Sequence, residues 1–119
     1  MKRDFDLIRS ILIQAEAVPA GTFPQTFNVP EGMTAQTLTE HIELMVSRGL
    51  IEGEVFSVVD GQFHVRKLTW EGHDFLDAAR SDTVWKKAKE QLGKVGGSAS
   101  LEIVKAVLVQ ITKTQLGLP

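Results

Sequence analysis

Three histidines and a run of carboxylates are the residues of this sequence whose types could do chemistry. His73 stands four residues before Asp77 and beside Asp74, a spacing that sets an imidazole and a carboxylate on one helix face, as proton transfer or metal ligation would need. Two such ligands do not complete a metal site. His64 falls in a strand-like stretch and His41 beside an apolar seam, where a hydrogen-bonded, partly buried imidazole is expected. The absence of cysteine removes thiolate nucleophiles, disulfides and cysteine zinc sites together. "GKVGGS" (93–98) lacks the Lys-Ser/Thr ending and the preceding strand of a phosphate-binding loop, and no nucleophile elbow or zinc-hydrolase pattern occurs. The expectation is a protein without catalytic residues, metal or cofactor. Its polar residues would then serve recognition.

The elements that would carry those residues follow from periodicity. From Asp4, which can serve as N-cap, the apolar residues Phe5, Ile8, Leu12 and Ala15, widened by Leu7 and Ile11, predict a helix closed by Pro19 and Gly21. "TFPQTFNV" (22–29) reads as an extended edge segment that offers Phe23 and Phe27 to the core, and "PEGM" as a turn. A second helix is predicted from Thr34 to about Arg48, with Leu38, Ile42 and Met45 inward and Gly49 ending it.

Asp60-Gly61 suits a two-residue type I′ turn, because both central positions there need positive φ. Counting outward pairs Val58 with Phe63, Phe56 with Val65 and Glu54 with Lys67 on a core-facing side. Val59 with Gln62, Ser57 with His64 and Val55 with Arg66 then lie on a wet side.

After the hairpin, Thr69 can cap a helix whose inward set is Trp70, Phe75, Leu76 and Ala79. Gly72 within it costs about 1 kcal/mol of helix propensity against alanine, which points to a close packing contact that requires glycine. Ser81 caps a further helix with Val84, Trp85, Ala88 and Leu92 inward and Gly93 as its stop. Ser98 or Ser100 caps a last one over Leu101, Val104, Leu108 and Ile111. Ile103, Val107 and Val109 lie outside that last stripe, so this helix asks for burial on a second side.

With 119 residues, 43% hydrophobic and 24% charged, the chain has the makings of one soluble domain, a core over 1–80 with a helical extension over 81–119 packed on it. The basic start is interrupted by Asp4 and Asp6 and reads as part of the fold rather than a secretion signal. The most apolar run, 101–111, is too short to cross a bilayer. A cytoplasmic protein without a membrane span is expected. The formal net charge of -2 conceals an asymmetry: residues 1–80 hold 7 Lys/Arg against 12 Asp/Glu, and residues 81–119 hold 6 against 3. A polyanion would be repelled by the first part and attracted by the second.

Three stretches, "MKRDFDLIRSIL", "HIELMVSRGLIEG" and "LTWEGHDFLDAARSDTVWKKAKEQLGKVGGSASLEIVKAV", together resemble an uncharacterised bacterial and prophage-associated family of domains of unknown function with a winged-helix-like fold. The "GLI…LTWEG" arrangement is also similar, with less specificity, to winged-helix transcription regulators. That resemblance implies an α+β fold in which the helix over 34–48 enters a groove and the hairpin over 54–68 touches backbone. The extended look of "TFPQTFNVPEG" departs from the regulators where their first recognition-unit helix should stand.

On this reading the protein is a non-catalytic regulator contacting nucleic acid. Thr34, Gln36, Thr37 and Glu40 would face bases, and Arg48, His64, Arg66 and Lys67 phosphates. The alternative is a protein-interaction module, such as a prophage-encoded inhibitor of host machinery, whose acidic Glu40 and Glu43 meet a basic partner. A further expectation is a homodimer made through Leu101, Val104, Leu108 and Ile111 of the last helix.

Overall fold

A computed structural model describes residues 2–19, 27, 31–57, 62–94 and 99–119. Among them are five helices, α1 (Phe5–Ala17), α2 (Ala35–Arg48), α3 (Trp70–Ala79), α4 (Asp82–Gly93) and α5 (Leu101–Gln115). Two strands, β1 (Ile51–Ser57) and β2 (Gln62–Leu68), pair antiparallel between α2 and α3. The arrangement is α+β and compatible with a winged-helix-like domain. The chain divides into two compact units, Met1–His73 and Asp74–Pro119, the boundary lying inside α3 and before the one drawn from the sequence at residue 80. No helix among the described residues is long and apolar enough to cross a membrane.

The helix starts are where the capping residues put them. The Asp4 carboxylate accepts from the backbone N–H groups of Asp6 and Leu7, and the Thr34 hydroxyl from that of Thr37. The Ser81 and Ser100 hydroxyls do the same for Val84 and Ile103. Each satisfies an N–H that the first turn leaves without a helical partner. Gly49 ends α2 in the left-handed conformation, φ 84°, and the next N–H, that of Leu50, donates to the Met45 carbonyl at 2.9 Å.

In the first unit, α1 packs on α2 and on β2, and α2 packs on β1. The core is formed by Leu7, Ile8, Ile11 and Leu12 of α1, Leu38, Ile42 and Met45 of α2, and Ile51, Phe63, Val65 and Leu68 of the hairpin. Phe27 is buried and stacks on Phe63 with ring centroids 5.3 Å apart. The remainder of the expected segment 22–29, the Asp60-Gly61 turn and the 95–98 hinge lie outside the described residues. In the second unit α4 packs against α5, and Phe75 meets the Trp85 ring edge-on at 6.5 Å.

The hairpin register differs from the one counted out from Asp60-Gly61. The pairs are Ile51 with Leu68, Glu52 with Lys67, Gly53 with Val65, Glu54 with His64, Val55 with Phe63 and Ser57 with Gln62, with irregularities after Glu52 and after Val55. Arg66 is thus an extra residue on β2 and Phe56 an extra one on β1. A bulge breaks strict alternation. Val65 and Leu68 can therefore both be buried while Arg66 and Lys67 between them are both exposed. Glu54, expected on the core side, faces solvent beside His64. Gly53 makes the bulge sterically feasible, since a Cβ there would meet the His64 carbonyl oxygen at 2.2 Å and the Val65 Cα at 2.9 Å.

Trp70 is a second correction. Its side was expected inward, yet it is 84% exposed, whereas Phe75, Leu76 and Ala79 are buried. At roughly 100° per residue, Gly72, Phe75, Leu76 and Ala79 share one side of α3, and Trp70 falls on the opposite one. Gly72 fixes that orientation, because its Cα faces the Leu50 carbonyl so closely that a Cβ would lie 1.9 Å from the oxygen.

Candidate binding surface

The α2 helix presents an outer stripe fixed by what its inner side must do. Leu38, Ile42 and Met45 are buried, and Thr39 and His41 with them. The Thr39 hydroxyl donates to the Ala35 carbonyl within the helix, 2.9 Å away. His41 is fully buried and bridges two elements: its Nε2 accepts from the Asp4 backbone N–H at 2.9 Å, and its Nδ1 lies 2.8 Å from the Thr37 carbonyl oxygen. A carbonyl can only accept and an N–H can only donate, so the ring is the neutral tautomer with its proton on Nδ1. His41 therefore locks α2 to the start of α1 and is no ligand.

Outward stand Gln36, Glu40, Glu43, Leu44 and Ser47, which share one stripe at the spacings i, i+4, i+7, i+8 and i+11, with the exposed Arg48 at the end of the helix. The Gln36 amide donates to Glu40 at 3.4 Å. Glu40, Glu43, Leu44 and Ser47 line a shallow open concavity, and Leu44 is 41% exposed. Sequence reasoning passed over Leu44 and Ser47. The signal was present: Leu44 lies outside the Leu38, Ile42, Met45 seam, and an apolar residue there has no core to fill.

Of the expected base-reading residues, Thr34 is occupied as the N-cap, its oxygen 3.1 Å from both the N–H and the hydroxyl of Thr37. Only Gln36 and Glu40 belong to the outer stripe. The expected phosphate contacts are all exposed or half-buried, and each lies against a carboxylate. Arg66 donates to Glu54 at 3.1 and 3.3 Å, and His64 Nδ1 lies 3.5 Å from the same carboxylate. Lys67 pairs with Glu52 at 3.7 Å, and Arg48 with Glu71 at 3.4 Å. Such exposed pairs hold little free energy, about 0 to 1 kcal/mol. Their consequence is for the field: each cation offered to a phosphate brings an anion with it. The whole unit 1–73 carries six Lys/Arg against ten Asp/Glu.

The histidine and carboxylates of α3 do not converge. His73 Nδ1 is 3.7 Å from Glu16 of α1, and Asp77 accepts from Arg80 at 3.0 Å. No group of three His, Asp or Glu side chains suited to a metal ion occurs among the described residues. Leu101, Val104, Leu108 and Ile111 of α5 are 9% exposed or less, on the buried side of a helix that packs against α4. They belong to this chain's own core, so the expected dimer contact cannot be made by those four.

Residues 2–98 match the family described as "Hypothetical protein (DUF2513)". A protein of Haemophilus influenzae described as "Uncharacterized protein" is 36% identical over 120 residues, an alignment spanning 98% of this chain and 99% of that one. No solved structure matches.

Proposed function

This chain belongs to the DUF2513 family, and from the surface its hairpin unit presents we propose a non-catalytic binding module that docks a basic segment of a partner protein on the outer face of α2. The observation that carries this reading is the stripe of Glu40, Glu43, Leu44 and Ser47 around an open concavity. An exposed leucine flanked by carboxylates suits an amphipathic segment that offers an apolar residue between Lys or Arg side chains. The acidic balance of residues 1–73 supports it by drawing a basic partner in at long range. A prophage-encoded inhibitor occupying a basic surface of host machinery is one form of the proposal. A cysteine-free chain suits the reducing cytoplasm where such a partner would be met.

Titration with a synthetic helical peptide of Lys and Leu, followed by backbone amide shifts, tests the reading. The shifts should centre on Glu40, Glu43, Leu44 and Ser47. In the double variant Glu40→Lys/Glu43→Lys affinity should fall at least about tenfold, or roughly 1.4 kcal/mol.

A second reading, contact with nucleic acid, is favoured by the position of α2 directly before a hairpin that exposes Arg66 and Lys67 side by side. Absence of peptide shifts, together with retardation of duplex DNA at low salt that Arg66→Glu and Lys67→Glu abolish, would replace the first reading with this one.

A further inference from the structure

The last helix has an outer face as ordered as its inner one. Opposite the buried side of Leu101, Val104, Leu108 and Ile111, at about 100° per residue, stand Glu102, Ala106, Val109 and Lys113. All four are exposed, Val109 at 37%, and Ile103 beside them is 52% exposed. Their spacing of i, i+4, i+7 and i+11 makes a straight seam of the kind two helices use to pair. Read along the helix, the seam runs acid, small, apolar, base.

That order is self-complementary under reversal of direction. A two-fold axis crossing α5 between Val107 and Leu108 sets Glu102 opposite Lys113 of a second copy, and Ala106 opposite its Val109. The same contacts recur on the other side of the axis, as an isologous interface requires. A parallel pairing would instead oppose Glu102 to Glu102 and Lys113 to Lys113. Ala106 keeps the centre narrow enough for the helices to approach closely. We infer that the outer face of α5 binds a second copy of this chain as an antiparallel helix pair. This surface is opposite the four residues expected for a dimer from the sequence, and it belongs to the 74–119 unit, whereas the functional proposal rests on α2 of the 1–73 unit.

The apolar contribution comes from Ile103, Ala106 and Val109 of each copy, a contact smaller than standard interfaces, so the dimer is weak, with a dissociation constant on the order of 100 μM. The charged ends set register and direction more than strength.

Sedimentation equilibrium of the full chain between about 10 μM and about 1 mM, loadings that bracket that constant, tests the pairing. The average mass should rise from monomer towards dimer over that range. Val109→Glu should stay monomeric throughout. Glu102→Lys and Lys113→Glu should each weaken association about tenfold or more, because the axis doubles every like-charge contact. The double variant Glu102→Lys/Lys113→Glu exchanges the ends and should return to within about threefold of the original. All these positions are exposed, and an unchanged circular dichroism spectrum separates loss of pairing from loss of fold. A monomer at the highest concentration, a dimer indifferent to Val109→Glu, or a double variant no better than the single ones would each overturn the inference.

Discussion

Gly72→Ala should lower stability by about 3 kcal/mol or more, and the melting temperature by about 12 °C or more. Alanine is the better helix former by about 1 kcal/mol, so propensity alone would favour the change. Sterics decide against it. The added Cβ would sit 1.9 Å from the Leu50 carbonyl oxygen and 3.0 Å from the carbonyl carbon, both backbone atoms that no rotamer change can move aside. To admit it, the first turn of α3 must retreat from the junction that Thr69 builds. There the Thr69 N–H donates to the Leu50 carbonyl at 3.0 Å, its hydroxyl donates to the Gly49 carbonyl and accepts from the Gly72 N–H, also at 3.0 Å. Each of those bonds is worth about 0.5 to 1.5 kcal/mol. Gly49→Ala is the control: it has open space around the Cβ and pays only for a positive φ, about 1 kcal/mol. Urea denaturation of both variants checks the ranking, and a Gly72→Ala protein within 1 kcal/mol of the original would refute the close contact.

That junction was legible in the sequence because a glycine inside an amphipathic helix has few reasons to be there. The caps at Asp4, Thr69 and Ser81 were legible too, and the last one as either Ser98 or Ser100, since local chemistry at a helix start depends on a few neighbouring residues; at Thr34 the sequence marked the start of the helix and not the cap. The hairpin register was not. Counting from the turn outward assumes strict alternation, and each bulge shifts the count by one residue; Gly53 inside β1 is the local sign of the first bulge. The error carried into the candidate site, where Glu54 was placed inward although it sits between His64 and Arg66 on the wet face. Trp70 misled for a different reason. Its size argued for burial, whereas the angular position dictated by Gly72 puts it on the far side of α3.

The candidate site was legible as residues and not as a surface. Glu40 and Glu43 were recognised as acidic, but charge pairing across the hairpin depends on register, so the neutralisation of Arg66 by Glu54 and of Lys67 by Glu52 appears only in three dimensions. Leu44 follows the same logic from the other side. An apolar residue off the seam is ordinary on a surface. It becomes informative once it is found between two carboxylates in a concavity.

His41→Ala should cost about 3 kcal/mol, the second large effect, and a graded series shows why. The imidazole fills fully buried space and also supplies the acceptor for the Asp4 N–H. His41→Leu keeps most of the volume and removes both ring hydrogen bonds, the acceptor for Asp4 and the Nδ1 donor to the Thr37 carbonyl, so it separates hydrogen bonding from volume, with an expected loss of about 2 kcal/mol. His41→Gln can return an acceptor oxygen near the position of Nε2 and should lose about 1 kcal/mol. The effect reaches α1 because Asp4 is also its N-cap: once its own N–H is stranded, the loop end that presents its carboxylate to Asp6 and Leu7 is free to shift. Amide hydrogen exchange should therefore quicken at Asp4, Asp6 and Leu7 in His41→Leu and recover in His41→Gln. A His41→Leu protein as stable as the original, with those amides unchanged, would show that the ring acts by its volume alone and that the tie between α2 and the cap of α1 carries no free energy.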